Sequence, residues 1–189
     1  MRAFIAFELP EETRQSLRFL QDELRQAQSP VSWVGFESLH LTLKFLGEIT
    51  SEQAQAVKES LQSVARVFSP FTVELGGLGG FPSLKAASVL WVGVLQGGEP
   101  ATALAYAIEK ENRRLFLPKE ERPFSAHVTI GRLRNKASVL LLKKLQETHW
   151  RTPGPWQAKE VVLYQSVLSA QAAKHTVLAR MAFGGKAAA

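Results

Sequence analysis

Two stretches of the chain, HLTLKFLG (40–47) and HVTIGRL (127–133), each place a histidine two positions before a threonine within an alternating apolar run. In a strand, residues i and i+2 project to the same face about 6.5–7 Å apart, so each stretch sets an imidazole beside a hydroxyl. Histidine has both protonation states available near its ordinary pKa of about 6.5, so two imidazoles can divide the work of a base and an acid. One would take the proton of an attacking oxygen and the other would protonate the leaving one. Two threonine hydroxyls can donate to the non-bridging oxygens of a phosphate and stabilise the charge that develops there. The set His40, Thr42, His127 and Thr129 therefore suits cleavage of a phosphodiester without a metal. The competing reading of either histidine alone is a hydrogen-bonded core residue, and a motif this short is weak evidence by itself. What strengthens it is that both copies lie in apolar strand contexts, 87 residues apart, at matching points of a repeated pattern.

Other chemistries find less support. The 189 residues include no cysteine, which removes disulfides, thiolate nucleophiles and thiolate metal sites. Neither motif has a second histidine or a carboxylate at metal-ligand spacing, so neither a metal site nor a cofactor is expected. Ser125 lies in no G-x-S-x-G turn and has no evident acidic partner. His149 beside Trp150 and His175 at the start of an apolar strand read as peripheral. Lys and Arg number 8 against 11 Asp and Glu in residues 1–100, but 15 against 6 in residues 101–189. A basic half of this kind suggests a polyanionic partner, whose phosphates would exchange condensed counterions for protein cations. No apolar run is long enough to span a bilayer, and the opening MRAFIAFELPEET turns acidic too soon for a signal peptide, so a cytoplasmic protein is expected.

The elements that must position the motifs follow from periodicity. RAFIAFEL (2–9) reads as a buried strand, followed by a helix that opens at Pro10, Glu11 and Glu12 and carries Leu17, Leu20, Leu24 and Ala27 on one side. The His40 strand places Leu39, Leu41, Leu43 and Phe45 on one face and His40, Thr42 and Lys44 on the other. Thr50 and Gln53 have capping-box spacing before a helix with the stripe Ala54, Val57, Leu61, Val64 and Phe68. FTVEL (71–75) is a strand, and GGLGG after it lacks the spacing of a nucleotide fingerprint and reads as a loop. The second half repeats the order: strand SVLWVGVL (88–95), helix TALAYAIEKENRRL, strand SAHVTIGRL (125–133), helix ASVLLLKKLQETHW, then strands KEVVLYQSVL and HTVLARMAF. The expectation is a bilobed α+β fold of two pseudo-symmetric β-α-β-α-β units whose antiparallel sheets face a central cleft. The expected domain covers residues 1–185, with lobes at about 1–80 and 88–183 that exchange strands, and a tail, 186–189, that frays.

These residues resemble a known family, the 2H phosphoesterases, and within it the bacterial and archaeal RNA 2′,3′-cyclic phosphodiesterases, also called 2′-5′ RNA ligases. The resemblance runs through RAFIAFELPEE, WVGFESLHLTLKFLGEI, GGLGGFP, VLWVGV, ERPFSAHVTIGR and the closing VVLYQSVLS and HTVLARM. It implies a bilobed fold with both H-x-T motifs on one cleft and hydrolysis of RNA 2′,3′-cyclic phosphate ends, tRNA fragments among them, to 2′-phosphomonoesters. By the same resemblance His40 is the proton donor to the departing 3′ oxygen, His127 the proton acceptor from water, and Thr42 and Thr129 the phosphate holders. Reversal with an RNA 5′-hydroxyl accounts for the ligase name. The direction of proton traffic comes only from the resemblance, because the motifs are nearly symmetric. The segment AQAAKHTVL departs from the Gly/Pro-rich hairpin of the family.

Arg132 completes HVTIGR as a candidate phosphate or RNA contact, yet strict alternation turns it away from His127 unless Gly131 permits a bulge. Lys44 shares the His40 face by the same rule, and Phe45 falls on the apolar side. Trp33, Phe81 and Phe124 are candidates for stacking on a base, each with core packing as the alternative. A monomer is expected. The alternatives are the same histidines acting on 2′,5′-linked oligonucleotides or other cyclic phosphates, and a non-catalytic RNA-binding module. Retention of both histidines disfavours the last, since binding alone needs no acid and base.

Overall fold

The computed structural model describes residues 1–168 and 173–185. The expectations that fall on residues 169–172 and on the tail, 186–189, lie outside the described residues. Along the chain run β1 (Arg2–Glu8), α1 (Glu11–Arg25), β2 (Val31–Trp33), a 3-10 turn (Phe36–Ser38), β3 (His40–Glu48), α2 (Ser51–Val67) and β4 (Phe71–Phe81). Then follow β5 (Val89–Gln96), α3 (Gly98–Arg114), β6 (His127–Leu133), α4 (Val139–Glu147), β7 (Trp156–Ala158), β8 (Glu160–Leu168) and β9 (Ala173–Ala182). The strands are antiparallel in the order β7-β4-β5-β6-β3-β1-β8-β9, with β2 added to β6. This is the α+β architecture expected.

The repeat explains the order. β3 and β6, the two H-x-T strands, meet at the centre through a single ladder pair, Leu41 with Val128, and the sheet spreads to either side. β4 of the first half pairs with β5 of the second, and β8 of the second half pairs with β1 of the first. The helices cross over too: α3 packs with α2 and against β3, while α1 packs with α4 and bonds to β6. Each flank of the sheet is thus completed by elements from the other half of the chain. The main core lies between helices and sheet, with Leu17, Leu20, Leu41, Leu61, Leu90, Leu104 and Val128 fully buried. The open face carries a separate small cluster of Phe4, Ala6, Val162 and Tyr164. Thr50 accepts from the Gln53 amide (3.1 Å) and the Gln53 side chain accepts from the Thr50 amide (2.9 Å), so the capping box forms as its spacing predicts.

GGLGG is not a loop. Gly76–Gly80 lie within β4, where Gly79 faces Trp91 across the ladder and the indole lies against the space a Cβ would occupy. Bare backbone gives the large ring a flat seat that a side chain would block.

Both H-x-T strands carry a bulge at the same point. In β3 the partners of Ile5 and Ala6 on β1 are Lys44 and Thr42, leaving Leu43 unpaired. In β6 the partners of Leu90 and Trp91 are Gly131 and Thr129, leaving Ile130 unpaired. An extra residue reverses the facing of everything after it. Lys44 is therefore buried on the helix side, contrary to alternation, and Phe45 is turned out and exposed on the open face. Arg132 likewise returns to the face of His127 and Thr129, as the bulge at Ile130, next to Gly131, requires.

Each bulge is braced from behind by the helix of the opposite half. Lys44 donates to Glu109 of α3 (2.6 Å) and to the Pro118 carbonyl (2.9 Å), and Glu109 also receives Arg113. Buried Gln21 of α1 donates to the carbonyls of Ile130 (2.8 Å) and Val34 (2.9 Å). Gly131 is required because a Cβ there would stand 2.6 Å from Val31 of β2. Glu109→Ala leaves the buried Lys44 ammonium facing one carbonyl. The expected loss is about 3–5 kcal/mol in urea unfolding, with most of it recovered in the Lys44→Met, Glu109→Leu double variant.

Candidate active site

The single Leu41–Val128 pair sets the geometry of the site. Continuing that antiparallel register by one residue each way puts Thr42 opposite His127 and His40 opposite Thr129, all on the open face because Leu41 and Val128 point into the core. The four residues that sequence spacing singled out are therefore brought together, each histidine across from the other motif's threonine. Neither threonine hydroxyl has a hydrogen-bond partner among the described residues. Arg132, carried round by the bulge, is exposed and has no carboxylate partner among the described residues. Its charge acts on both imidazoles.

The imidazoles are held alike. His40 Nδ1 lies 2.7 Å from the Ser38 carbonyl, and His127 Nδ1 lies 2.6 Å from the Ser125 carbonyl, in each case two residues upstream. A carbonyl only accepts, so Nδ1 carries the proton and Nε2 of the neutral ring keeps its lone pair for the open face. Aromatic rings fix the planes. Phe4 stacks on His40 at 4.6 Å and Tyr164 stacks on Phe4 at 5.1 Å, while Phe81 packs edge-on to His127 at 5.0 Å with Trp91 at 6.3 Å. Phe4 and Trp91 are themselves 87 residues apart, so the ring behind each histidine is part of the repeat.

Burial pushes both histidines below their ordinary range. The opposing influence of the carbonyl bonds is smaller. For His40, the charges of His175, Arg132 and His127 add to the effect and the pKa falls to about 4. Glu8, opposite His40 in the ladder, turns its carboxylate to Arg180 at 2.6 Å and does not hydrogen-bond to the imidazole. The open face thus gathers cationic and potentially cationic groups, a setting suited to an anion.

Several sequence expectations need correction. Lys44 is not on the site face; it is a buried brace. Phe45, expected in the core, is 56% exposed beside Phe4 at 6.1 Å. His175 is not peripheral: its ring stands 5.3 Å from His40, edge to face. No signal short of the β8–β9 register could have placed it there, because His175 lies far from both motifs in sequence. Of the stacking candidates, Phe81 lies against His127, whereas Trp33 and Phe124 pack on the core. His149 lies in the connection after α4.

A duplicated α+β fold with an H-x-T motif on the central strand of each half is the architecture of a 2H phosphoesterase. The family described as LigT-like phosphoesterase matches the chain twice, over residues 7–91 and 92–173, and the chain belongs to that family. Among curated relatives, an RNA 2′,3′-cyclic phosphodiesterase of Aquifex aeolicus is 33% identical over 154 residues, 81% of this chain and 82% of the relative. One of Archaeoglobus fulgidus is 31% identical over 171 residues, 89% of this chain and 93% of the relative. Among solved structures, TT0787 of Thermus thermophilus superposes with a TM-score of 0.85 at 27% identity, covering 99% of this chain and 100% of the other. E. coli LigT complexed with 3′-AMP gives a TM-score of 0.77 at 25% identity, covering 97% and 98%. Among the described residues no helix is long and apolar enough to cross a membrane.

The depressed imidazoles bear on stability. Each binds a proton more weakly in the folded protein than in the unfolded chain, so below about pH 6.5 the unfolded chain holds more protons and stability falls with pH. Glu8 and Glu109 are shifted down and titrate lower still, which leaves the range from about pH 7 to 5.5 to the histidines. The melting temperature is expected to fall across that range, less steeply in His40→Gln and less steeply with inorganic phosphate present.

Proposed function

We propose that the protein hydrolyses RNA 2′,3′-cyclic phosphate ends to 2′-phosphomonoesters by two-histidine acid–base catalysis. The observation that carries this reading is the pair of Nδ1-to-carbonyl bonds, which aim two Nε2 atoms into one anion-receptive site beside two unpartnered threonine hydroxyls. The names of the curated relatives support the substrate class.

The cyclic phosphate seats between the motifs, with Thr42 and Thr129 donating to its non-bridging oxygens and Arg132 balancing its charge. His127, neutral, takes a proton from water as its oxygen bonds to phosphorus. The bond from phosphorus to O3′ breaks, and His40, protonated, gives O3′ its proton. The 2′ phosphate ester and a free 3′-hydroxyl remain, and the two histidines have exchanged protonation states, to be reset by solvent. An RNA 5′-hydroxyl in place of water would make a 2′-5′ linkage by the same steps. The phosphate monoanion opposes the lowering of both imidazoles by burial, and so favours the protonated His40 that the reaction needs.

The test uses an RNA oligonucleotide ending in a 2′,3′-cyclic phosphate, with EDTA present, and resolves 2′- from 3′-phosphate products. His40→Ala and His127→Ala are each expected to lower kcat by about 10²–10⁴. Full activity in either variant, or a 3′-phosphate product, would sink the mechanism. With both groups depressed in the free enzyme, kcat/KM is expected to peak on the acid side of about pH 6.5, while the kcat profile lies at higher pH than that of kcat/KM.

A further inference from the structure

The two H-x-T motifs are alike in strand, bulge, carbonyl bond and aromatic backing, and the reaction needs them to differ. One difference lies in what stands beside each histidine. His127 has Phe81, Trp91 and Arg132 about it. His40 has Phe4 on its face and, in addition, His175 against it at 5.3 Å with the ring planes at 85°. His175 also meets Phe4 edge-on at 4.9 Å, so the three rings form one packed unit. His175 belongs to β9, opposite Ser166 of β8 in the ladder, and has no copy in the first half of the repeat.

We propose that His175 is a positioning residue for His40 that makes the two halves of the duplicated site chemically unequal. It acts in two ways, both visible in the packing. Its ring closes the side of His40 left open by Phe4 and holds the imidazole in the plane set by the Ser38 carbonyl. Its proton also opposes a proton on His40, because the two rings touch and no carboxylate intervenes. Among the described residues no carboxylate hydrogen-bonds to either ring. Glu8 of β1 and Glu160 of β8 are both bound by Arg180 at 2.6 Å, and Glu37 of the 3-10 turn is bound by Arg14 at 3.0 Å. His127 and Arg132 of β6 add positive charge, Tyr164 of β8 is neutral with its phenol pushed up to about 12, and Lys174 flanks His175 on β9.

Burial depresses His175, whereas His40 feels both burial and the charge of His175. As pH falls, a proton taken by His175 therefore works against one on the more deeply buried His40. A phosphate anion entering beside His40 would offset that burden. This orders protonation with binding: the acid is armed by the substrate's own charge. The inference rests on the two-histidine reading only for the use made of the His40 proton, not for the coupling itself.

Histidine titration by NMR in the free protein measures the coupling without turnover. In His175→Phe, which keeps a ring against Phe4 and His40 but carries no proton, the His40 midpoint is expected to rise by about half a pH unit or more, with His127 nearly unmoved. In His175→Gln, which removes the ring, the midpoint is expected to rise as well and the His40 signals to broaden. In cyclic-phosphate hydrolysis by His175→Phe, the kcat/KM limb that follows His40 is expected to move in the same direction, with KM changing by less than about twofold. An unmoved His40 midpoint in a folded His175→Phe protein, or a larger shift at His127 than at His40, would overturn the proposal. Full activity of His40→Ala would instead sink the catalytic reading while leaving the titration result standing.

Discussion

The twin bulges at Leu43 and Ile130, each braced by a helix from the other half of the chain, are the constraint on which the site depends. A regular strand would turn Lys44 toward the ligand and bury Phe45 and Arg132. The bulges reverse all three. Holding them costs buried polar groups, and those groups are satisfied: Lys44 by Glu109 and the Pro118 carbonyl, the Ile130 carbonyl by Gln21. Since α3 braces β3 and α1 braces β6, neither half forms its own motif unaided. The duplicated sequence yields one interdependent site.

The charges at that site are not balanced by bonded carboxylates among the described residues. Arg132 has no carboxylate partner among the described residues, and the imidazoles are kept neutral by burial and by one another. The acids on the same side of the sheet, Glu8 and Glu160, are occupied by Arg180. Under the proposed mechanism a phosphate would supply the missing charge and shift the histidines toward the forms that acid–base chemistry uses. The cost of burying the two imidazoles is reduced stability when they are protonated.

Legibility in the sequence was high where local rules govern. Alternation placed His40 with Thr42 and His127 with Thr129, helical spacing placed the stripes of α1 and α2, and the capping box at Thr50 formed as written. It failed where a contact between distant segments decides. Lys44 and Phe45 exchanged faces because α3 offers a carboxylate behind β3, which strand periodicity does not contain. GGLGG looked like a loop because glycine disfavours strands, yet a cross-strand indole needs that bare backbone. His175 looked peripheral because the strand that carries it reaches His40 only through the pairing of β8 with β1. Arg132 was poised between the two cases, with Gly131 as the one local hint of a bulge.

The duplication, the fold class and the four residues at the centre follow from side-chain type and spacing along single strands and helices, whose periods are intrinsic to the backbone. Which residues surround the four, which face Arg132 and Phe45 take, and why the two nearly identical halves are unequal come from long-range packing. Those outcomes depend on a one-residue slip in strand pairing and on contacts between elements far apart in the chain, and no local period encodes either.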